Sequence, residues 1–206
     1  MRTSDRGARV TILAACLALG ACLQAGPLPA LRVAGDEVTI VGPEGYCVDS
    51  RTALERRAGS FVVLGDCGVL GGGAAEGNPA VLTALVSAAT DLPQRPSAAQ
   101  LERYFRSDAG QAALSHDGTS ATVTLLDLAQ DGDVLYLKVR DRSAGRPETL
   151  SDTTWRAVFA LNDRLVALSV ASHADVPVGD LSMRRKLQEF VAAVRAANGA
   201  GAADEV

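Results

Sequence analysis

The sequence predicts an α+β fold in which a single, mainly antiparallel sheet of about seven or eight strands packs against two helices. Three observations support this prediction. From residue 36 onward, short apolar segments alternate with turns rich in Gly, Pro, Asn and Asp. Only two stretches, near residues 100 and 190, have apolar side chains at helical spacing. The later strands are joined by short connections, which require antiparallel pairing.

The N-terminal half of the domain contains four predicted strands and one glycine-rich segment. The strands cover residues 37–41, 46–49, 61–64 and 80–87. Residues 50–58 are ambiguous and could form a helical turn. The segment 68–79 lacks the Gly-Lys-Ser/Thr sequence and the third glycine of nucleotide-binding loops, so it favours a flexible loop over a phosphate site.

The first helix is predicted to begin after Pro96. Ser97 can accept a hydrogen bond from the free backbone amide of Gln100, and the Gln100 side chain can reach back to Ser97. We expect this helix to break near residues 107–110 and to end at about Leu114. Its apolar face, which we assign to the core, carries Leu101, Tyr104 and Phe105.

Two hairpins follow the first helix. Residues 119–128 and 133–140 flank the turn at 130–132, and residues 153–161 and 164–171 flank Asn162-Asp163. Apolar and polar side chains alternate along these strands, so one face of each strand should be buried. The predicted inward residues of the second hairpin are Trp155, Ala157, Phe159 and Leu161.

The last helix is predicted over residues 181–197, with Asp180 or Ser182 as its cap and Gly199 just beyond its end. Its apolar residues Leu187, Phe190, Val191 and Val194 lie at helical spacing. The basic run at residues 184–186 could bind an acidic partner, but it favours a solvated helix face. Residues 199–206 are predicted to be a disordered tail.

The first 21 residues have the layout of an export signal, with three arginines before a short uncharged core. This core ends in Leu19-Gly20-Ala21-Cys22, which resembles the lipobox of bacterial lipoproteins. The resemblance implies that Cys22 carries a diacylglyceryl group and a fatty acid such as palmitate, that residues 22–35 form an extended tether, and that one domain spans residues 36–198. Leu23, in place of an aspartate, favours the periplasmic side of the outer membrane. The alternative is a plain secretory signal and a periplasmic protein.

Four cysteines are present, but two of them belong to the leader and the anchor. Cys16 leaves with the leader and Cys22 would be acylated, so Cys47 and Cys67 are expected to form a disulfide in an oxidising compartment. The alternative is a redox or metal site. Neither a Cys-x-x-Cys motif nor more than two histidines supports it.

The composition excludes some partners. Loss of the leader removes three arginines and one aspartate and moves the net charge from −4 to −6. This acidity argues against nucleic acid and against electrostatic adsorption to anionic lipid. The spacing of Asp127, Asp131 and Asp133 lacks the pattern of calcium loops. We therefore predict no cofactor and no metal.

Two further resemblances concern the domain. The element order and the turn Pro43-Glu44-Gly45-Tyr46 resemble the Mog1/PsbP-like group, and the segments at residues 45–49 and 61–67 resemble small exported proteins of Gram-negative bacteria. These resemblances imply a sheet flanked by helices. They imply no catalytic residue.

Two functional hypotheses follow. The first is a membrane-anchored, non-enzymatic lipoprotein that binds an envelope protein or a small ligand. The second is a hydrolase or transferase that uses His116 or His173 as a base. No Gly-x-Ser-x-Gly sequence supports the second hypothesis, and both histidines lie in turn-like segments, which favours surface positions.

Overall fold

The computed structural model describes residues 26–89 and 95–199. Its fold is α+β, as predicted, with an eight-stranded sheet in which every pairing is antiparallel. Cys16 and Cys22 lie outside the described residues, as does most of the predicted tail. None of the described helices is long and apolar enough to cross a membrane.

Ten strands occur in the described residues. They are β1 (Ala30–Val33), β2 (Val38–Val41), β3 (Tyr46–Val48), β4 (Leu54–Arg56), β5 (Gly59–Asp66), β6 (Ala80–Ser87), β7 (Val123–Asp131), β8 (Val134–Asp141), β9 (Leu150–Leu161) and β10 (Arg164–His173). The main sheet has the order β3-β5-β6-β10-β9-β8-β7, and β4 also pairs with β5. β1 and β2 form a separate hairpin.

Four α-helices occur in the same ranges. They are α1 (Cys67–Leu70), α2 (Ala98–Arg106), α3 (Asp108–Leu114) and α4 (Asp180–Ala197), and a 3-10 turn covers Ser120–Thr122. The capping box of Ser97 and Gln100 is confirmed at the start of α2. The predicted break is also confirmed, because Ser107 ends α2 and its side chain caps α3 through the amide of Gly110.

Both faces of the sheet are partly covered by other elements. α4 and the β1–β2 hairpin cover one face, where Trp155, Phe159 and Phe190 are among the largest fully buried side chains. On the opposite face, α2 packs on β7, β8 and β9, and α3 packs on β7. Leu101 and Phe105 join the smaller core on that side.

The predicted hairpins are confirmed with small shifts in their bounds. Asn162 and Asp163 connect β9 to β10 with φ angles of 47° and 57°, as the favoured turn of a two-residue hairpin requires. The inward-facing alternation of β9 that begins at Trp155 is confirmed as well, since these residues belong to the larger core.

Several segments differ from the sequence-based expectation. Residues 30–33 of the expected tether form β1, because they pair with β2. The ambiguous segment 50–58 contains β4 instead of a helical turn, because it pairs with β5. Part of the glycine-rich segment forms α1. Gly179 is the N-cap of α4 and neither Asp180 nor Ser182 caps it, because Asp180 accepts a hydrogen bond from Trp155 instead.

Candidate functional site

The half of the sheet not covered by α2 and α3 carries a patch of apolar side chains that we call the open face. It consists of Leu54, Phe61, Val63, Leu85 and Ala167, on β4, β5, β6 and β10. Leu54 is 47% exposed and Leu85 is 51% exposed, while the other members are partly buried. Apolar side chains on this face therefore contact solvent.

Strand register places the open face in line. Leu54 lies opposite Phe61, Phe61 opposite Leu85, and Leu85 opposite Ala167. Directly paired residues of antiparallel strands point to the same side of the sheet, with Cβ atoms about 5 Å apart. These four side chains form a continuous apolar row across four strands.

Arg156 lies at the border between the open face and the helix-covered part of the same face. In β9 it is opposite Leu137 of β8 and Ser169 of β10. Its Nε is buried without a hydrogen-bond partner, and in the described ranges no hydrogen bond or ion pair reaches its guanidinium. Burial lowers the pKa of Arg156 below its ordinary value, and the attraction of Asp141 opposes this shift only in part.

The carboxylate of Asp141 is hydrogen bonded to backbone amides. This buried carboxylate accepts hydrogen bonds from the amide of His116 at 3.0 Å and from the amide of Ser143 at 2.9 Å. It lies more than 4 Å from the Arg156 nitrogens, since no salt bridge joins the two. Arg156 is therefore a partly buried cation without a direct counter-ion in the described part of the chain.

The chain enters the domain at the edge of the sheet next to the open face. Leu28 and Val48 exchange backbone hydrogen bonds of 3.1 and 2.8 Å, so the segment before β1 lies along β3. β3 and β4 both pair with β5 and form this edge. Cys22 precedes Gly26 by four residues, a reach of roughly 14 Å at most.

The Cys47–Cys67 disulfide is confirmed at this edge. It joins β3 to the first residue of α1. Next to it, Asp66 accepts hydrogen bonds from the backbone amides of Val69, Glu76 and Asn78 at 3.1, 2.8 and 3.1 Å. Burial would raise the pKa of Asp66, but these N–H donors lower it below its ordinary value.

A cleft of about 800 Å³ lies between α4 and the turn that precedes β3. Lys186 pairs with Glu189 at 2.6 Å in this cleft, and its Nζ lies 5.5 Å from the centre of the Tyr46 ring. Burial raises the pKa of Tyr46. The Lys186 cation is thus already partnered by residues of the protein.

The basic run at the start of α4 is held against aromatic rings rather than fully solvated. The guanidinium of Arg184 lies 5.4 Å from the centre of the Trp155 ring. Lys138 binds Asp180 at 2.7 Å, and this contact and the Trp155 hydrogen bond lower the pKa of Asp180. These contacts fix the first turn of α4 to the sheet.

The two candidate catalytic histidines lie in different settings. His116 is exposed, beside Gly145, and its backbone amide binds Asp141 and Ser143. His173 is the last residue of β10, opposite Leu150. In residues 26–89 and 95–199, neither imidazole ring makes a hydrogen bond to a serine or a carboxylate, and no group of three or more His, Cys, Asp or Glu residues is placed to hold a metal.

Sequence reasoning did not single out Arg156 or Asp66. Arg156 occupies a polar position in the alternating pattern of β9, which ordinarily indicates a solvent-facing side chain. For Asp66 the signal was its place at the end of an apolar strand, directly before a cysteine.

Comparisons with known proteins identify no family. No family model matches the chain, and no curated protein matches it. A solved structure of a protein from Bacteroides thetaiotaomicron VPI-5482 matches 82% of this chain with 9% sequence identity and a TM-score of 0.31. The chain spans 47% of that protein's length.

Proposed function

We propose that this protein is an envelope lipoprotein, anchored through Cys22 on the periplasmic side of the outer membrane, that binds an apolar ligand on its open face without transforming it. The observation that carries the proposal is the apolar row of the open face, in which Leu54 and Leu85 are exposed, beside Arg156, which has no partner among the described residues. Exposed apolar patches mark binding surfaces when they are contiguous.

The position of the chain entry supports the same function. Leu28 pairs with β3, and the open face begins at β4 on the same edge of the sheet. An acyl group on Cys22 would hold this edge close to the lipid headgroups, since only three residues separate Cys22 from Gly26. The open face would then meet apolar molecules that leave or enter the membrane.

The hydrolase or transferase hypothesis requires a histidine that activates a nucleophile. In the part of the chain that the structure describes, no contact of the His116 or His173 ring favours it, so we propose binding and not catalysis. Mog1/PsbP-like membership is likewise a proposal, supported by the predicted element order and the turn before β3.

The anchor is tested by metabolic labelling with a fatty-acid analogue. Wild type should incorporate the label and fractionate with membranes, and Cys22→Ala should lose both properties because the acylated thiol is gone. Cys16→Ala is the matched control and should behave as wild type. Equal labelling of wild type and Cys22→Ala would overturn the anchor.

The binding surface is tested with a neutral apolar dye on the exported chain that carries Cys22→Ala, which lacks acyl chains of its own. Leu85→Glu should lower dye affinity at least about tenfold, because it puts a charge in the centre of the apolar row. Leu181→Glu is the control, since Leu181 is 82% exposed on α4 over the other face. Equal affinities for the two variants would contradict the proposed surface.

A further inference from the structure

We infer that the ligand of the open face is a single-chain fatty acid whose carboxylate pairs with Arg156. This inference rests on the proposed function and names the chemistry of its ligand. It joins two neighbouring features, a partly buried cation without a direct counter-ion and an apolar row that starts beside it.

The first step concerns the charge of Arg156. A buried cation is stable in a protein only when it is paired or hydrogen bonded, because burial removes its hydration. In the described residues, Nε of Arg156 has neither a hydrogen-bond acceptor nor a counter-ion. The carboxylate oxygens of Asp141 accept hydrogen bonds from backbone amides instead. An anion bound at the terminal nitrogens of Arg156 would supply the missing counter-charge.

The second step concerns access. Arg156 is only partly buried as a residue, and its terminal nitrogens are not among the buried atoms without a partner, so they keep contact with solvent. α2 packs on the β7–β9 side of this residue. The approach to its guanidinium is therefore from the β10 side, where the open face lies.

The third step concerns length. Val158, two residues after Arg156 on the same side of β9, is buried in the smaller core, so the apolar row that contacts solvent begins opposite it at Ala167 and leads to Leu54. The distance from β9 to β4 is four inter-strand steps of about 4.8 Å, or roughly 19 Å. A long extended acyl chain fits this distance and a single row of side chains.

The fourth step concerns the kind of anion. A guanidinium has a planar fork of N–H donors that matches a carboxylate in two parallel hydrogen bonds. One arginine neutralises the single charge of a fatty acid. The open face comprises five apolar side chains, far fewer than the roughly 20–30 residues that each partner contributes to a stable protein complex. A small amphiphile therefore fits better than a protein.

The test compares palmitate with its neutral analogue hexadecanol, again on the full chain with Cys22→Ala. Arg156→Leu should lower palmitate affinity at least about tenfold and leave hexadecanol affinity unchanged, since only palmitate carries a charge for Arg156 to bind. Arg56→Leu is the matched control: Arg56 is exposed on β4, two residues from Leu54 on the same side of the sheet. It should change neither affinity.

A folding control separates binding from stability. Arg156→Leu should keep the thermal midpoint of wild type or raise it, because it replaces an unpaired, partly buried cation with an apolar side chain. If this variant does not fold, Arg156→Lys serves instead. It keeps the charge but loses the planar fork, so palmitate affinity should fall several-fold while hexadecanol affinity stays the same.

Each outcome decides the inference. Equal palmitate affinity in wild type and the Arg156 variant overturns it, as does Arg156-dependent binding of phospholipid vesicles or of an acidic helical peptide without binding of palmitate. If Leu85→Glu abolishes hexadecanol binding but Arg156→Leu leaves palmitate affinity unchanged, only the inference about the carboxylate fails. If neither probe binds wild type, the proposed function fails with it.

Discussion

Asp66 is buried and Arg156 is partly buried, and they differ in whether the protein supplies hydrogen-bond partners for their charge. Asp66 receives three backbone N–H groups, which stabilise its carboxylate and hold the loop of residues 71–79 against β5. Arg156 receives no acceptor from the described residues. The Asp66 carboxylate therefore stabilises the fold, whereas the Arg156 guanidinium is available to bind the proposed ligand.

Asp66→Asn tests the first role through pH. The pKa of Asp66 is lowered in the folded state, so its contribution to stability is present above the unfolded value of about 3.9 and is lost as pH falls through the folded pKa. The variant should have a smaller free energy of unfolding at pH 7 and a flatter decline below about pH 4.

Urea denaturation at pH 7, 5 and 3 measures this difference. Asp175→Asn is the control, because Asp175 is exposed in the segment between β10 and α4. A decline with pH that is equally steep in Asp66→Asn and in wild type would show that other carboxylates govern the acid response.

The role of individual residues was predictable from the sequence in some cases and not in others. The Cys47–Cys67 pair followed from the predicted leader, because the predicted export and acylation leave two thiols to oxidise. Arg156 was not predictable, because alternation marks only one face of a strand as buried. β9 has helices on both sides, so its second face is buried as well, and that depends on where α2 packs.

Among the elements, α4 packs on β9 and β10 of the sheet and on β2 of the separate hairpin. Its apolar residues at helical spacing were predicted correctly as buried: Leu187, Phe190, Val191 and Val194. Its start was not, because Asp180 binds Trp155 and Lys138 rather than its own helix. Such a contact joins residues far apart in the sequence, whereas a cap is local.

Phe190→Ala should lower the free energy of unfolding by about 3–5 kcal/mol, because it leaves a cavity in the larger core. Leu181→Ala is the control on the same helix and should change it by less than about 0.5 kcal/mol, since this side chain is mostly exposed. Denaturant midpoints measure both. Similar losses for the two variants would contradict the orientation of α4.

Three short elements, β1, β4 and α1, were not predicted from the sequence. β1 and β4 contain four and three residues, too few for alternation alone to indicate a strand. Each exists because a neighbouring strand offers it hydrogen bonds. The long hairpins were predictable because their turn residues and their alternation indicate the same structure.

At the scale of the whole molecule, the two faces of the sheet differ in how completely they are closed. Among the described residues, α4 and the β1–β2 hairpin cover one face, and α2 and α3 cover the other over β7, β8 and β9. The disulfide fastens the edge next to the open half. This edge can therefore bear exposed apolar side chains without separating from the sheet.

Replacement of both cysteines tests this fastening. Cys47→Ala combined with Cys67→Ala should lower the free energy of unfolding by about 3 kcal/mol, because the unfolded chain regains the freedom of a closed loop. Guanidinium denaturation under oxidising conditions is the measurement. Chemically reduced wild type should match the double variant, and a stability equal to oxidised wild type would contradict the expectation.

The β-bridge between Leu28 and Val48 affects how copies of the protein could pair through their sheet edges. A sheet edge with free N–H and C=O groups can recruit a strand from another copy, and this risk grows when copies share a two-dimensional surface. Here the residues that lead toward Cys22 occupy part of that edge themselves. Copies anchored side by side, as proposed, would thus present a partly occupied edge to their neighbours.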